Sequence, residues 1–264
     1  YYTHWLLMQE VAARGYRISV SGSGADELFS GYYDHHLAYL YELRSHPEEQ
    51  ERSRANWERV VLPYVRNPHL RRADLFLDNP SFRDHIFMDA DRFRSYLLRD
   101  WQEPFSETAY TEDLLRNRMM NELCHEGVPV ILHEDDLNAM YHSIENRSPF
   151  LDRRLFEHCA RIPTRHLIRD GLAKAVLRDA VAGIVPDRIR LNPRKVGFNA
   201  AIFSYLDHEN PGVRSAVLDR SPIYEWVRRE EIEGLLNAAQ LTNSESKFLF
   251  SFLGAKMFLE EWAE

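Results

Sequence analysis

At 264 residues, 44% of them hydrophobic and 28% charged, the chain can bury a sizeable core as one large or two small domains, and its composition excludes disorder. No apolar run approaches the roughly 20 residues that span a bilayer, and the opening residues do not read as a signal peptide. A formal net charge of −8 disfavours a nucleic-acid surface, because the basic groups Arg71-Arg72, Arg153-Arg154 and Arg188 to Lys195 are short and scattered.

Tyr1 to Arg14 reads as the body of an amphipathic helix, with Trp5, Met8 and Ala12 on one face. No capping residue precedes it and residue 1 is not Met, so the chain is expected to begin inside a domain. Gly15 stops the helix, and Tyr16 to Val20 reads as a strand. Ser21-Gly22-Ser23-Gly24 then makes a glycine turn into a helix that starts at Ala25. Such a turn aims backbone N–H groups and a helix N-terminus at one spot, which favours an anion such as a phosphate. Asp26 and Glu27 fall in the first helical turn beside it. A carboxylate next to a bound phosphate calls for a cation between them, and Mg²⁺ is the usual one. On pattern alone the turn is equally well read as a tight βα connection, and Asp26 as a first-turn carboxylate favoured by the dipole.

No other strand is expected. A lone strand cannot satisfy its own backbone, so parallel partners are expected upstream of residue 1. Tyr32-Tyr33-Asp34-His35-His36 invites a metal reading, but adjacent helical side chains diverge by about 100°. Solvent-facing or hydrogen-bonded histidines are expected, and no zinc site. Helices are expected over Glu48 to Val65, Asp91 to Trp101, Glu107 to Cys124, Asp135 to Ile144, Arg153 to Arg161 and Gly171 to Val181. Asn67 to Pro80, broken by two prolines, reads as a surface connection, and Pro186 to Asn199 as a loop. Two helices close the chain, Ser221 to Ala238 with Ser221 as cap, and Glu245 to Trp262. No repeat or clean linker divides it. Cys124 and Cys159 have no metal or redox spacing and read as buried, reduced thiols of a cytoplasmic protein.

The string Ser21-Gly22-Ser23-Gly24-Ala25-Asp26-Glu27-Leu28-Phe29-Ser30-Gly31-Tyr32 resembles the Ser-Gly-x-Gly-x-Asp-Glu-x-Phe-x-Gly-Tyr signature of the asparagine synthetase family. Glu145-Asn146-Arg147-Ser148-Pro149-Phe150-Leu151-Asp152 is similar to its Glu-x-Arg-x-Pro-Phe-Leu-Asp string. Lys174 to Ala180, with Arg194-Lys195-Val196-Gly197-Phe198, resembles its Lys-x-x-Leu-Arg-x-Ala and Lys-x-Gly-Phe segments. The resemblance covers essentially the whole chain. It implies the C-terminal part of an α/β, mostly helical ATP-pyrophosphatase domain of the adenine-nucleotide α-hydrolase type, with a truncated parallel sheet.

The activity implied is an ATP-dependent, AMP- and pyrophosphate-forming amide ligase. It activates a carboxylate as an acyl-adenylate for attack by ammonia derived from glutamine, and asparagine synthesis is its commonest form. Ser21, Gly22 and Gly24 would line the nucleotide site, and Asp26 would hold Mg²⁺. Lys195 would meet the developing phosphate charge from the opposite wall. The family's second phosphate loop and its N-terminal glutaminase domain are not found here, so this piece alone is expected to lack ligase activity. A homodimer is left open.

Ser23 stands where asparagine synthetases carry Glu and β-lactam-forming relatives carry Tyr. A serine hydroxyl is a poor base near neutral pH, which favours a related enzyme acting on another carboxylate. The acidic run Glu134-Asp135-Asp136 reads either as a helix cap or as a base and amine-binding group. Glu134, Asp136 and Glu145 are the candidates for binding the acceptor substrate. Glu145 and Arg147 are close enough to pair, while Arg147 and Asp152 read as structural, with Asp152 capping the next helix. A non-catalytic helical interaction domain is the remaining alternative, against which the joint presence of Asp26 and Lys195 speaks.

Overall fold

A computed structural model describes residues 2–87, 90–101, 105–195, 197 and 200–262. Tyr1, Val196, Phe198 and Asn199, on which parts of the sequence reading fall, lie outside them. In chain order, helix α1 (Tyr2–Ala13) leads to strand β1 (Ile18–Val20), then α2 (Ala25–Phe29), α3 (Tyr33–Glu42), α4 (Pro47–Val60) and α5 (Leu75–Asp78). Two short helices follow, α6 (Asp84–Phe87) and α7 (Ala90–Ser95). The middle of the chain holds α8 (Leu114–Asn121), α9 (Val128–Tyr141), β2 (Glu145–Arg147), α10 (Arg153–Cys159), α11 (Ala175–Ala180) and α12 (Asp187–Arg190). Helices α13 (Pro211–Leu218), α14 (Arg229–Asn237) and α15 (Asn243–Trp262) close it.

The chain divides into two compact units, one of residues 1–82 with 106–197 and the other of residues 83–105 with 198–264. In the first, β1 pairs in parallel with β2, Ile18 opposite Glu145 and Val20 opposite Arg147. This corrects the expectation that β1 has no partner strand downstream. The three residues of β2 are polar, so no apolar alternation marked them as a strand. On one face Ser19 Oγ donates to Asn146 Oδ1 at 2.7 Å. On the other Glu145 and Arg147 form an exposed ion pair at 2.9 Å.

The first unit's core packs Leu37, Trp57, Phe76, Leu115 and Leu167 together. The stretch from Asn67 to Pro80 is not merely a surface connection, because Leu70, Ala73, Leu75 and Phe76 are buried in that core. Helix α8 is shorter than expected: Asp113 caps it through a hydrogen bond from Arg116 N–H, and a π-helical turn at Glu122–Glu126 ends it. Asp152 caps α10 as expected, accepting from the Arg154 and Leu155 N–H groups. Cys159 is buried, but Cys124 is exposed, against the sequence reading.

In the second unit Leu97 bridges antiparallel to Val227, which divides the expected Ser221 to Ala238 helix into a 3₁₀ turn and α14. Ser221 precedes that turn without a side-chain cap bond. Its core gathers Tyr96, Ile202, Ile232, Leu249 and Phe252. Among the described residues no helix is long and apolar enough to cross a membrane.

Phe76 is about as buried as any large side chain here, at 1% exposure. Phe76→Ala is therefore expected to destabilise the first unit by about 3–5 kcal/mol. Denaturant unfolding followed through buried Trp57, in the same core, measures it.

Candidate functional site

The glycine turn hangs from the sheet, since Ser21 N–H donates to the Arg147 carbonyl at 2.8 Å. Its two glycines differ in purpose. Gly24 has φ 91° and is buried, and a Cβ there would overlap the Leu151 side chain, so its left-handed backbone and its packing account for the glycine. Gly22 is exposed, and a Cβ built on it would meet nothing within 4 Å. Open space over bare backbone is what a ligand approaching closely needs. Helix α2 has only five residues, so its dipole supplies less positive field than the sequence reading assumed.

The charge comes from side chains instead. Asp26, on α2, receives the Lys195 ammonium at Oδ2 and lies 2.7 Å from Lys174 Nζ at Oδ1. Burial alone would raise the Asp26 pKa, but the Lys195 and Lys174 charges outweigh it and hold the carboxyl below its ordinary value. Asp26 and Lys195, read from the sequence as facing walls of one site, are thus in direct contact.

Lys174 opened one of the sequence blocks but carried no assigned role. Its backbone gives it away, with φ 59° and ψ 34° immediately before α11. A left-handed lysine costs of order 1–3 kcal/mol, and such strain clusters at functional sites. The next turn of α11 carries Arg178, whose guanidinium donates to the carbonyls of Ala173, Arg190 and Asn192. One short helix therefore places Lys174 and anchors the loop that carries Lys195.

Gly31 makes the cluster possible. A Cβ there would overlap Asp26 Oδ1 and crowd Lys174 Cε. Just before it, Ser30 has φ 62° and donates to the Leu167 carbonyl, which also accepts from Ala175 N–H. Behind the site, the Tyr32 hydroxyl donates to buried Glu27. Burial, then the Glu27 charge, pushes the Tyr32 pKa far up, so it stays a phenol. Its ring lies 5.0 Å from Lys195 Nζ.

His35 and His36 are both buried, and of the two roles expected, solvent-facing or hydrogen-bonded, His35 takes the second. His35 Nδ1 accepts the Gly31 N–H at 3.1 Å and Nε2 lies 2.7 Å from Glu122 Oε2. Burial, then its neighbour His35, lowers the His36 pKa to about 3, which keeps it neutral. Asp34, His35 and Glu122 have ligand atoms near enough to share an ion, a grouping the sequence reading missed. There, however, both His35 nitrogens are engaged and the Arg118 guanidinium lies 3.3 Å from Glu122 and 3.8 Å from Asp34.

The hydroxyls of the turn form a line. Ser21 Oγ is 3.1 Å from Ser148 Oγ and donates to Ser23 Oγ at 3.2 Å. Ser23 Oγ donates to Asp135 Oδ2 at 3.4 Å. The acidic run lies inside α9 rather than at a helix start, which removes the capping alternative. Helical geometry turns its three carboxylates in different directions. Asp135 reaches the turn, Asp136 is exposed, and Glu134 is half-buried. Glu145 is held in its surface pair with Arg147, so the structure does not bring it to Asp26.

A βα turn with open space over Gly22 is thus followed by a carboxylate that two lysines flank. Residues 2–264 match the family model described as asparagine synthase, and the chain belongs to that family. It is 29% identical over 237 residues to asparagine synthetase [glutamine-hydrolyzing] 1 of Bacillus subtilis (strain 168), covering 83% of this chain and 36% of that protein. It is 26% identical over 177 residues to asparagine synthetase [glutamine-hydrolyzing] 3 of the same organism, covering 65% of this chain and 25% of the relative. The chain thus spans about a third or less of the length of these relatives.

Two outcomes follow. Gly31→Ala is expected to cost about 1–3 kcal/mol by overpacking the lysine cluster, read from urea unfolding. A carboxyl with a lowered folded pKa stabilises the fold above its unfolded value of about 4 and loses that contribution as pH falls through the folded one. The stability difference between the wild type and Asp26→Asn is therefore expected to hold steady above about pH 5 and shrink on further acidification.

Proposed function

We propose that the full-length protein is an ATP-dependent, AMP- and pyrophosphate-forming amide ligase. It activates a carboxylate as an acyl-adenylate, which ammonia from glutamine then attacks, and asparagine synthesis is the leading reaction. The observation that carries this reading is the Lys174–Asp26–Lys195 cluster beside the open backbone of Gly22. Two ammonium groups on one carboxylate leave a net positive charge, which suits a triphosphate tail. The relatives' names, glutamine-hydrolyzing asparagine synthetases, agree with it.

The chemistry assigned to each residue follows from its position. Ser21 and Gly22 line the approach of the phosphates. Lys195, carried on a loop, neutralises charge that grows on the departing pyrophosphate, and Lys174 does so from the start of α11. Asp26 keeps both ammonium groups in place before the nucleotide arrives. Its hard oxygens also suit Mg²⁺, although both are engaged by lysine, so the fit depends on the phosphates drawing a lysine away. When bound, that ion would supply further charge neutralisation on the pyrophosphate.

The reading assigns the second phosphate loop and the glutaminase to parts of the protein beyond these residues. The 59% and 70% exposure of Ile18 and Val20 on β1 supports further apolar cover on that strand. An ATP-pyrophosphatase sheet and a cytoplasmic location belong to the same proposal. A second reading, amidation of a different carboxylate or closure of a lactam, is favoured by Ser23, which puts a hydroxyl where asparagine synthetases resemble one another in carrying Glu.

Exchange of labelled pyrophosphate into ATP by the full-length protein tests the proposal. Wild type with L-aspartate is expected to exchange, Lys195→Ala to lose about 10²–10³-fold, and Asp26→Asn to lose exchange together with the thermal stabilisation that Mg·ATP confers. Exchange that survives both substitutions at the wild-type rate would overturn it.

A further inference from the structure

The second half of an amide-forming reaction needs a group that accepts a proton from the incoming nitrogen, and Ser23 cannot be that group unaided. We propose that Asp135 is the proton acceptor for the nitrogen nucleophile, reached through the Ser23 hydroxyl, with His4 as its positioning residue. The inference rests on the ligase reading above. Ser23 Oγ accepts from Ser21 and donates to Asp135 Oδ2 at 3.4 Å, so the hydrogen bonds already run from the turn toward the carboxylate. Asp135 keeps a side-chain exposure of 15%, and its other oxygen lies 3.1 Å from His4 Nδ1.

The order of the groups decides the chemistry. A nucleophilic serine needs a base on its own hydroxyl, with the carboxylate behind the histidine. In this chain the carboxylate stands between the serine and the histidine, so Ser23 is a relay and not a nucleophile. Helix α9 carries Asp135 and helix α1 carries His4, two packed helices of the same unit, so one oxygen of the carboxylate meets Ser23 and the other His4.

In the step proposed, the nitrogen lone pair forms the C–N bond to the acyl carbon. The bond from that carbon to the AMP oxygen breaks, and its electron pair leaves on the phosphate. The proton released by nitrogen passes to Ser23 Oγ as the Ser23 hydroxyl proton moves to Asp135 Oδ2. Neither charge nor atoms are left over, and no further reactant is needed.

The test separates the two half-reactions of the full-length protein, using L-aspartate and ammonium chloride as probes. Pyrophosphate exchange into ATP reports adenylation, and amide formation from ammonium reports the nitrogen step. Asp135→Asn is expected to keep exchange within about twofold while amide formation falls about 10²–10⁴-fold, the usual worth of a positioned base. Ser23→Ala should fall in the same sense. Ser23→Glu combined with Asp135→Asn, which puts a carboxylate on the turn itself, should recover at least about a tenth of the lost rate.

Wild-type amide formation in Asp135→Asn would overturn the proposal. So would loss of exchange and amide formation together in a variant whose thermal melting is unchanged, or failure of the double variant to recover any rate. Absence of exchange in the wild type would instead overturn the ligase reading, and the inference with it.

Discussion

Asp26 is a carboxylate taken largely out of water, and such a group is costly to bury unless opposite charge and hydrogen bonds reach it. Two ammonium groups do so, from Lys174 and from Lys195, the second lying 169 residues along the chain. The arrangement satisfies Asp26 and leaves one positive charge in excess beside open backbone. Positive charge at this place comes from side chains, because five residues of α2 make only a short dipole. A missing side chain at Gly31 is what allows the three groups to meet.

Much of the surrounding structure reads as support for that contact. The Leu167 carbonyl accepts from both Ser30 and Ala175, so the end of α2 and the start of α11 are tied to one atom. Arg178 stitches the segment before Lys195 to α11 through the carbonyls of Arg190 and Asn192, and the Arg194 guanidinium lies over the Tyr64 ring. Beneath, Glu27, Tyr32, His35, Glu122 and Arg118 join α2, α3 and α8 in a buried polar network. Hydrogen bonds within a buried network rigidify its surroundings, because breaking one there is expensive. The motif residues therefore divide into a few that face the opening and more that keep those few in place.

Where the sequence reading failed, it failed for local reasons. Glu145-Asn146-Arg147 became a strand because Ser21 and Val20 needed backbone partners, and polar residues carry no strand periodicity. Phe76 lies in a stretch with prolines at both ends, which hid a core segment inside an apparent loop. Within the acidic run sequence reasoning singles out Glu134 and Asp136, but the rotation of α9 brings Asp135 to the turn. Lys174 was visible as a residue but not as a partner of Asp26, since neither that contact nor its left-handed backbone can be read from its identity.

Local order carried the rest. The strand, the glycine turn, the short acidic helix and the cap at Asp152 all follow from neighbours within a few residues, where steric rules and hydrogen-bond reach act directly. The family likewise follows from strings of adjacent residues. Which lysines close on Asp26, which carboxylate meets Ser23 and which strand pairs with β1 depend on segments separated by more than a hundred residues. Those pairings are decided by packing and by the need to compensate buried charge, and neither exists until the chain has folded.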